Sequence, residues 1–155
     1  MDAGELDAFL HSPVAMLGAS VGPGLVPEAF RVWGARMEEP RRLRVLIPSD
    51  GGATLENLRT HNRIAVTVTD ITTFTSVQVK GRVVGGIDPL GPAEIELMLE
   101  YDQRFAAALV QVGFPPNWER CLRPGALLSV ALEVEELFDQ SPGARAGHAM
   151  PATSA

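Results

Sequence analysis

Two stretches of regularly alternating side chains constrain the fold more than any other feature of this sequence. Residues 63–70 read RIAVTVTD and residues 75–87 read TSVQVKGRVVGGI, with Val, Ile and Thr at many positions. Successive side chains of a β-strand point to opposite faces of the sheet, and these residue types favour strands. The pattern therefore predicts two strands with one buried face each, and the short segment between them predicts an antiparallel pair.

Four further segments have the composition of strands: residues 14–20, 27–38, 42–47 and 125–139. A short N-terminal helix is predicted where Leu6, Phe9 and Leu10 share one side, and Pro13 ends it. A second short helix follows the third strand, and a long helix with a broad apolar face covers residues 92–112. Six strands joined mainly by tight turns favour a mainly β fold of the α+β class, with a closed or nearly closed antiparallel barrel.

The segment IPSDGGATLENLRTHNRIAV, residues 47–66, contains a glycine loop that opens onto the short helix. Such a loop can hold a phosphate, because free backbone N–H groups and the helix dipole favour an anion. Alternatively, Gly51 and Gly52 form a turn and bind no ligand, and Asp50 would repel a phosphate. Thr54 is expected to cap the helix, and this role is compatible with phosphate binding. The residues alone leave both interpretations open.

Composition limits the classes of partner. The 155 residues favour one domain over residues 1–140, followed by a small, proline-containing tail over residues 141–155 that is expected to be partly mobile. A net charge of −6 disfavours general binding to nucleic acid or to an anionic membrane. The single cysteine, Cys121, cannot form an internal disulfide, and neither a secretion signal nor a membrane-spanning apolar run is evident. We therefore expect a cytoplasmic protein, and the spacing of His and Cys predicts no metal site.

The order of three blocks resembles the pyridoxamine 5'-phosphate oxidase-like family of FMN-binding proteins: FRVWGAR, RLRVLIPSDGGATLENLRTHNRIAVTVTD and TSVQVKGRVVG. The likeness covers about residues 10–90, and the ending FDQSPGARAG is also similar to the endings of family members. It implies a six-stranded antiparallel split β-barrel, with a short helix after the third strand and a long helix before the last strand. It also implies a homodimer with FMN in a groove at the subunit interface.

The resemblance implies cofactor contacts position by position. Arg31 matches an arginine that reaches the FMN phosphate, and Arg36 matches a phosphate-facing lysine of the oxidases. Ile47 and Pro48 match residues whose backbone borders the flavin, and Ser49 follows them. The implied cofactor-binding set is completed by Val32, Trp33, Thr54, Thr75 and Ser76.

The spacing of Arg31 and Arg36 tests this assignment. An odd separation places two strand residues on opposite faces unless a bulge intervenes, and Gly34 between them allows one. Without a bulge only one of the two arginines can face the cofactor. Arg31 can also be an ordinary solvated arginine of a strand.

The chain departs from the oxidases where they bind the phosphate. Ala53 and Thr54 replace an Arg-Lys pair, and Ser76 replaces a glutamine that approaches the flavin ring. The Arg and His that bind pyridoxamine near the oxidase C-terminus have no match, so a true pyridoxamine phosphate oxidase is not expected. Each lost charge-assisted hydrogen bond removes about 1.5–3 kcal/mol of binding energy.

Two functional hypotheses follow. The leading one is a flavin-dependent oxidoreductase that uses FMN on a small, unidentified substrate, with the cofactor supplying the chemistry. No acid, base or nucleophile stands out in the sequence, so no catalytic residue is assigned. The alternative is a non-catalytic dimer that binds flavin, deazaflavin or haem, or a protein that has lost its cofactor.

Overall fold

Eight strands and three α-helices form the part of the chain that the computed structural model describes, residues 1–122 and 125–151. The strands are β1 Val14–Val21, β2 Pro27–Arg31, β3 Ala35–Glu39, β4 Arg42–Pro48, β5 Arg63–Asp70, β6 Ser76–Pro89, β7 Leu127–Asp139 and β8 Ala149–Met150. The helices are α1 Ala3–Leu10, α2 Ala53–His61 and α3 Pro92–Gln111. Every predicted helix is present within a few residues of its predicted bounds, and so is every predicted strand except the one over residues 27–38.

The strands form one antiparallel sheet in the order β2-β1-β5-β6-β7-β4-β3, and β8 pairs with β7 outside this path. The prediction of six strands is therefore wrong in number. The segment predicted as one strand over residues 27–38 is divided between β2 and β3, because Gly34 adopts a φ of +144° that interrupts the extended backbone. The eighth strand lies in the segment predicted as a tail, whose residues 152–155 lie outside the described part.

The sheet is not closed by a strand ladder, and a three-residue link between β2 and β3 joins its two edges instead. The Val32 N–H donates to the Met16 carbonyl of β1 at 3.1 Å, and the Trp33 N–H donates to the Leu46 carbonyl of β4 at 2.8 Å. The Leu46 N–H in turn donates to the Gly34 carbonyl at 2.9 Å. The link therefore makes hydrogen bonds to β1 at one edge and to β4 at the other.

Along the strands, side chains that face the core alternate with side chains on the outer face of the sheet. On β5 the side chains of Ile64, Val66 and Val68 are buried, as predicted for a strand with one buried face. From outside the sheet, α1 contributes Leu6 and Leu10 to the same core. Of the helices in the described ranges, none is long and apolar enough to cross a membrane. The cytoplasmic location stays a prediction.

Candidate functional site

The glycine loop between β4 and α2 is held in place by backbone hydrogen bonds. The Ser49 N–H donates to the Ala126 carbonyl at 2.9 Å, next to the pairing of Pro48 with Leu127. The N–H groups of Gly52 and Thr54 donate within the loop, to the carbonyls two and three residues before them, each at 2.8 Å. The loop is thus a tight turn that fixes the position at which α2 begins.

The first turn of α2 contains an unusual buried hydroxyl. Thr54 is 1% exposed, and its Oγ1 has no hydrogen-bond partner among the described residues. The prediction that Thr54 caps the helix is wrong, because α2 begins at Ala53 and Gly52 holds the capping position, without a side chain to cap the first turn. Gly52 occupies that position with a φ of +50°, which a glycine adopts without steric cost. An uncapped helix N-terminus beside a free hydroxyl is a chemically suitable place for an anion.

Arg31 lies at the end of β2, between Trp33 of the β2–β3 link and the aromatic side chains of Tyr101 and Phe105 on α3. Its guanidinium carbon lies 4.7 Å from the ring centroid of Trp33 and 4.4 Å from that of Phe105. One terminal nitrogen donates to the Tyr101 hydroxyl at 3.4 Å, while Nε is buried without a partner among the described residues. Burial raises the pKa of Tyr101, and the nearby Arg31 charge opposes this rise. This clamp around Arg31 could not be predicted from the sequence, although Tyr101 and Phe105 are one helical turn apart.

Arg36 is already paired with carboxylates. It contacts Glu94 at 2.9 Å and Glu38 at 3.4 Å, and it donates to the Ala93 carbonyl at 3.3 Å. The interruption at Gly34 shifts the strand alternation by one residue, so that Arg31 and Arg36 both lie on the outer face. Gly34 thus lies in the link between two strands rather than in a bulge of one strand, and the charge of Arg36 is compensated before any ligand binds.

The other implied contacts fall into two groups. The side chains of Val32 and Ile47 are fully buried in the core, so that only their backbone can meet a ligand. Thr75 is exposed, and Ser76 is buried with its hydroxyl 2.7 Å from that of Thr69. Ser76 begins β6, whose far end at Pro89 pairs with β7 near the glycine loop. Ser76 and Pro89 are 13 residues apart, and each residue of a strand advances by about 3.3 Å, so the two ends of β6 are far apart. Within a single subunit, Thr75 and Ser76 therefore lie far from the glycine loop.

A cavity of about 350 Å³ lies between α3 and the start of β7. Its described lining is mostly apolar and consists of Trp33, Leu90, Met98, Leu99, Asp102, Gly125 and Leu127. Trp33 is 3% exposed, and its indole Nε1 has no hydrogen-bond partner among the described residues. Leu127 pairs with Pro48, so the cavity and the glycine loop meet at the end of β4. This cavity could not be predicted from the sequence, because its described lining comes from three segments that are far apart in the chain.

Arg31 stacks on Trp33, Trp33 lines the same cavity as Leu127, and Leu127 pairs with Pro48, which leads along the chain to Ser49 and Thr54. No group of three His, Cys, Asp or Glu side chains within residues 1–122 and 125–151 is arranged to hold a metal ion.

No protein-family model and no curated protein matches the chain significantly. Among solved structures, HupZ of Group A Streptococcus is 17% identical with a TM-score of 0.57, over 95% of this chain and 100% of HupZ. An F420 reductase is 16% identical with a TM-score of 0.54, over 84% of this chain and 94% of the reductase. The conserved hypothetical protein Rv2991 of Mycobacterium tuberculosis is 16% identical with a TM-score of 0.55, over 88% of this chain and 82% of that protein.

These likenesses, at 16–17% identity, establish the fold alone. Structures described as pyridoxamine 5'-phosphate oxidase-related also match, at a TM-score of 0.48. The predicted fold class is confirmed: the chain has a mostly antiparallel α+β fold that it shares with HupZ, the F420 reductase and Rv2991, and its eight-stranded sheet is not closed.

Proposed function

We propose that the chain binds a phosphate-bearing cofactor of the flavin type, FMN, with its phosphate at the start of α2. The observation that carries this proposal is the buried, unpartnered hydroxyl of Thr54 beside the uncapped first turn of the helix. A phosphate oxygen accepts hydrogen bonds from hydroxyl and backbone N–H groups, and the helix dipole favours its charge. One structural neighbour is described as an F420 reductase, which supports a flavin-like cofactor and keeps deazaflavin as the alternative.

The hydrogen-bond donors at the start of α2 suit a phosphate, but the positive charges near it suit a phosphate only in part. Ala53 brings no charge to the helix start, and the Arg36 guanidinium is neutralised by Glu38 and Glu94. Arg31 is held on two aromatic rings, and one of its guanidinium nitrogens has no partner among the described residues. We therefore expect phosphate binding to depend on Thr54 and backbone groups, with Arg31 contributing charge from the end of β2.

The proposed activity is oxidation or reduction of a small molecule, because a bound flavin supplies hydride and electron transfer. The residues of this chain would position the cofactor and exclude water. A homodimer is part of the proposal, and exposed apolar side chains support it. Leu17 is 60% exposed on the outer face of the sheet, and the Phe114 and Trp118 rings lie 5.6 Å apart on the surface after α3. Light scattering during gel filtration gives the mass, and a monomer at micromolar concentration would contradict this part.

The test is titration of the purified, cofactor-free protein with FMN, followed by flavin fluorescence and absorbance. Thr54→Val keeps the side-chain shape and removes the hydroxyl. A hydrogen bond to a charged group contributes about 1.5–3 kcal/mol, so the FMN dissociation constant should rise about 10- to 150-fold. Thr60→Val is the matched control, because Thr60 lies on the same helix and its exposed hydroxyl donates to Glu56 at 3.1 Å. Equal FMN affinity in both variants would contradict the phosphate assignment.

A second candidate is a dimer that binds haem or a deazaflavin without turnover, or one that has lost its cofactor. The engagement of Arg36 by two carboxylates favours it, because that side chain is not free for a phosphate. Absence of a thermal shift with FMN would support loss of the flavin, and a Soret band after addition of haemin would indicate haem. A yellow protein that bleaches with a nicotinamide donor would instead support the oxidoreductase.

A further inference from the structure

The cavity beside Trp33 has the size and the lining of a small-molecule site. Its volume of about 350 Å³ lies within the usual range for such sites, about 300–1,000 Å³. Three apolar side chains of the lining, Leu90, Met98 and Leu99, lie on or just before α3. Leu127 closes the other side from the start of β7. A lining of this kind favours a ligand whose body is apolar or aromatic.

One polar group of this lining has no partner among the described residues. Trp33 is 3% exposed, and its indole N–H is buried without an acceptor. An indole N–H can only donate, and a buried donor left without an acceptor costs about 1–3 kcal/mol. The ring itself cannot turn easily, because the Arg31 guanidinium packs on it at 4.7 Å and the backbone is held by Leu46. A ligand seated against Trp33 can supply the missing acceptor.

We propose that this cavity binds a small, neutral aromatic or apolar molecule with one carbonyl oxygen, and that the Trp33 indole N–H donates to that oxygen. The apolar lining selects the body of the ligand, and the single donor selects the oxygen. The site is distinct from the start of α2, where the cofactor phosphate is proposed. The proposal goes beyond the proposed function and does not depend on FMN binding.

A pair of probes with nearly the same shape tests the hydrogen bond. Acetophenone carries a carbonyl oxygen, and ethylbenzene has a methylene group in its place. Each is titrated into cofactor-free, ¹⁵N-labelled protein while the two tryptophan indole signals are recorded by NMR, with Trp118→Phe used to assign them. We expect acetophenone to bind about 3- to 10-fold more tightly than ethylbenzene and to move the Trp33 signal downfield. Equal affinities with an unmoved Trp33 signal would overturn the proposal.

Two sets of variants locate the binding site. In Trp33→Phe the preference for acetophenone should disappear while ethylbenzene still binds. Leu99 and Val110 are both about half exposed on α3, at 51% and 48%, but only Leu99 is in the described cavity lining. Leu99→Glu should weaken both probes at least about tenfold, because it places a charge at an apolar site, and Val110→Glu should leave them unchanged. If Trp33→Phe does not fold, Leu99→Glu and Val110→Glu still test whether the probes bind in this cavity. Equal effects of these two Glu variants would refute the site.

Competition with FMN separates this proposal from the proposed function. If acetophenone binds and FMN does not, the proposed function fails and the cavity assignment stands. If both bind together, the two sites are distinct, as proposed. If FMN displaces acetophenone competitively, the cavity belongs to the cofactor, and the separate ligand site is wrong.

Discussion

Replacing Thr54 with Val should stabilise the cofactor-free protein. Thr54 is only 1% exposed, so its hydroxyl lies in the protein interior. The hydroxyl has lost its contact with water and has gained no partner among the described residues. Such a buried, unsatisfied group costs about 1–3 kcal/mol, and Val removes it without changing the shape of the side chain. Both residues are β-branched, so their helix propensities are similar. The expected gain in the free energy of unfolding is therefore about 1–3 kcal/mol.

For a domain of this size, each kcal/mol shifts the melting temperature by about 2–4 °C, so the melting temperature should rise by about 2–12 °C. Urea unfolding should show a higher midpoint with an unchanged m value, since the same surface is exposed on unfolding. The control Thr60→Val should stay within about 0.5 kcal/mol of the wild type, because its hydroxyl is exposed. With saturating FMN the wild type should gain more stability than Thr54→Val, because it binds the ligand more tightly.

A loss of about 1 kcal/mol or more in cofactor-free Thr54→Val would refute this reasoning. It would mean that the hydroxyl has a partner in solution, such as an ordered water, and that the site is already satisfied without a ligand. The proposal for the phosphate would then lose its main support.

Three further substitutions test other parts of the structure. Glu38→Gln should flatten the dependence of stability on pH below about 4.5, because hydrogen bonds and charge from Arg44 first, and from Arg36, hold the pKa of Glu38 in the folded protein below that value. The ionised Glu38 therefore stabilises the wild type above pH 4.5, and this stabilisation is lost as the pH falls through the lowered pKa of the folded state. Urea midpoints of both proteins across this pH range provide the check. Gly81→Ala should destabilise by about 1–3 kcal/mol, because the new Cβ would lie 2.0 Å from the Glu133 carbonyl oxygen, and an unchanged urea midpoint would contradict this strand contact. Arg31→Lys should cost about 0.5–2 kcal/mol in thermal unfolding, because an ammonium cannot stack between two rings as a guanidinium does, and a neutral result would contradict the clamp.

The sequence predicted what depends on local patterns. Alternation located the strands, and apolar spacing located α3. The number of strands was wrong because Gly34 interrupts one extended segment and divides it into two strands, and because β8 lies in the segment predicted as a tail. The helix cap was assigned to Thr54 because threonine is a favoured capping residue, yet Gly52 holds that position.

The parts that could not be predicted depend on residues far apart in the chain. Arg31 and Tyr101 are 70 positions apart, and Arg36 and Glu94 are 58 positions apart. Nothing in the neighbourhood of either arginine in the sequence indicates its partner, because the pairing follows from how α3 lies against the link. The cavity beside Trp33 escaped prediction for the same reason.

The passage of the chain from one sheet edge to the other has a consequence for aggregation. The edge strands β2 and β3 have five residues each, and the link between them is bonded to β1 and β4. A long edge strand with free backbone groups is a template on which another chain can add a strand. Here both edges are short and belong to one continuous segment tied down at its centre. Each edge therefore offers only a short row of backbone groups to another chain, which limits edge-to-edge pairing of this sheet.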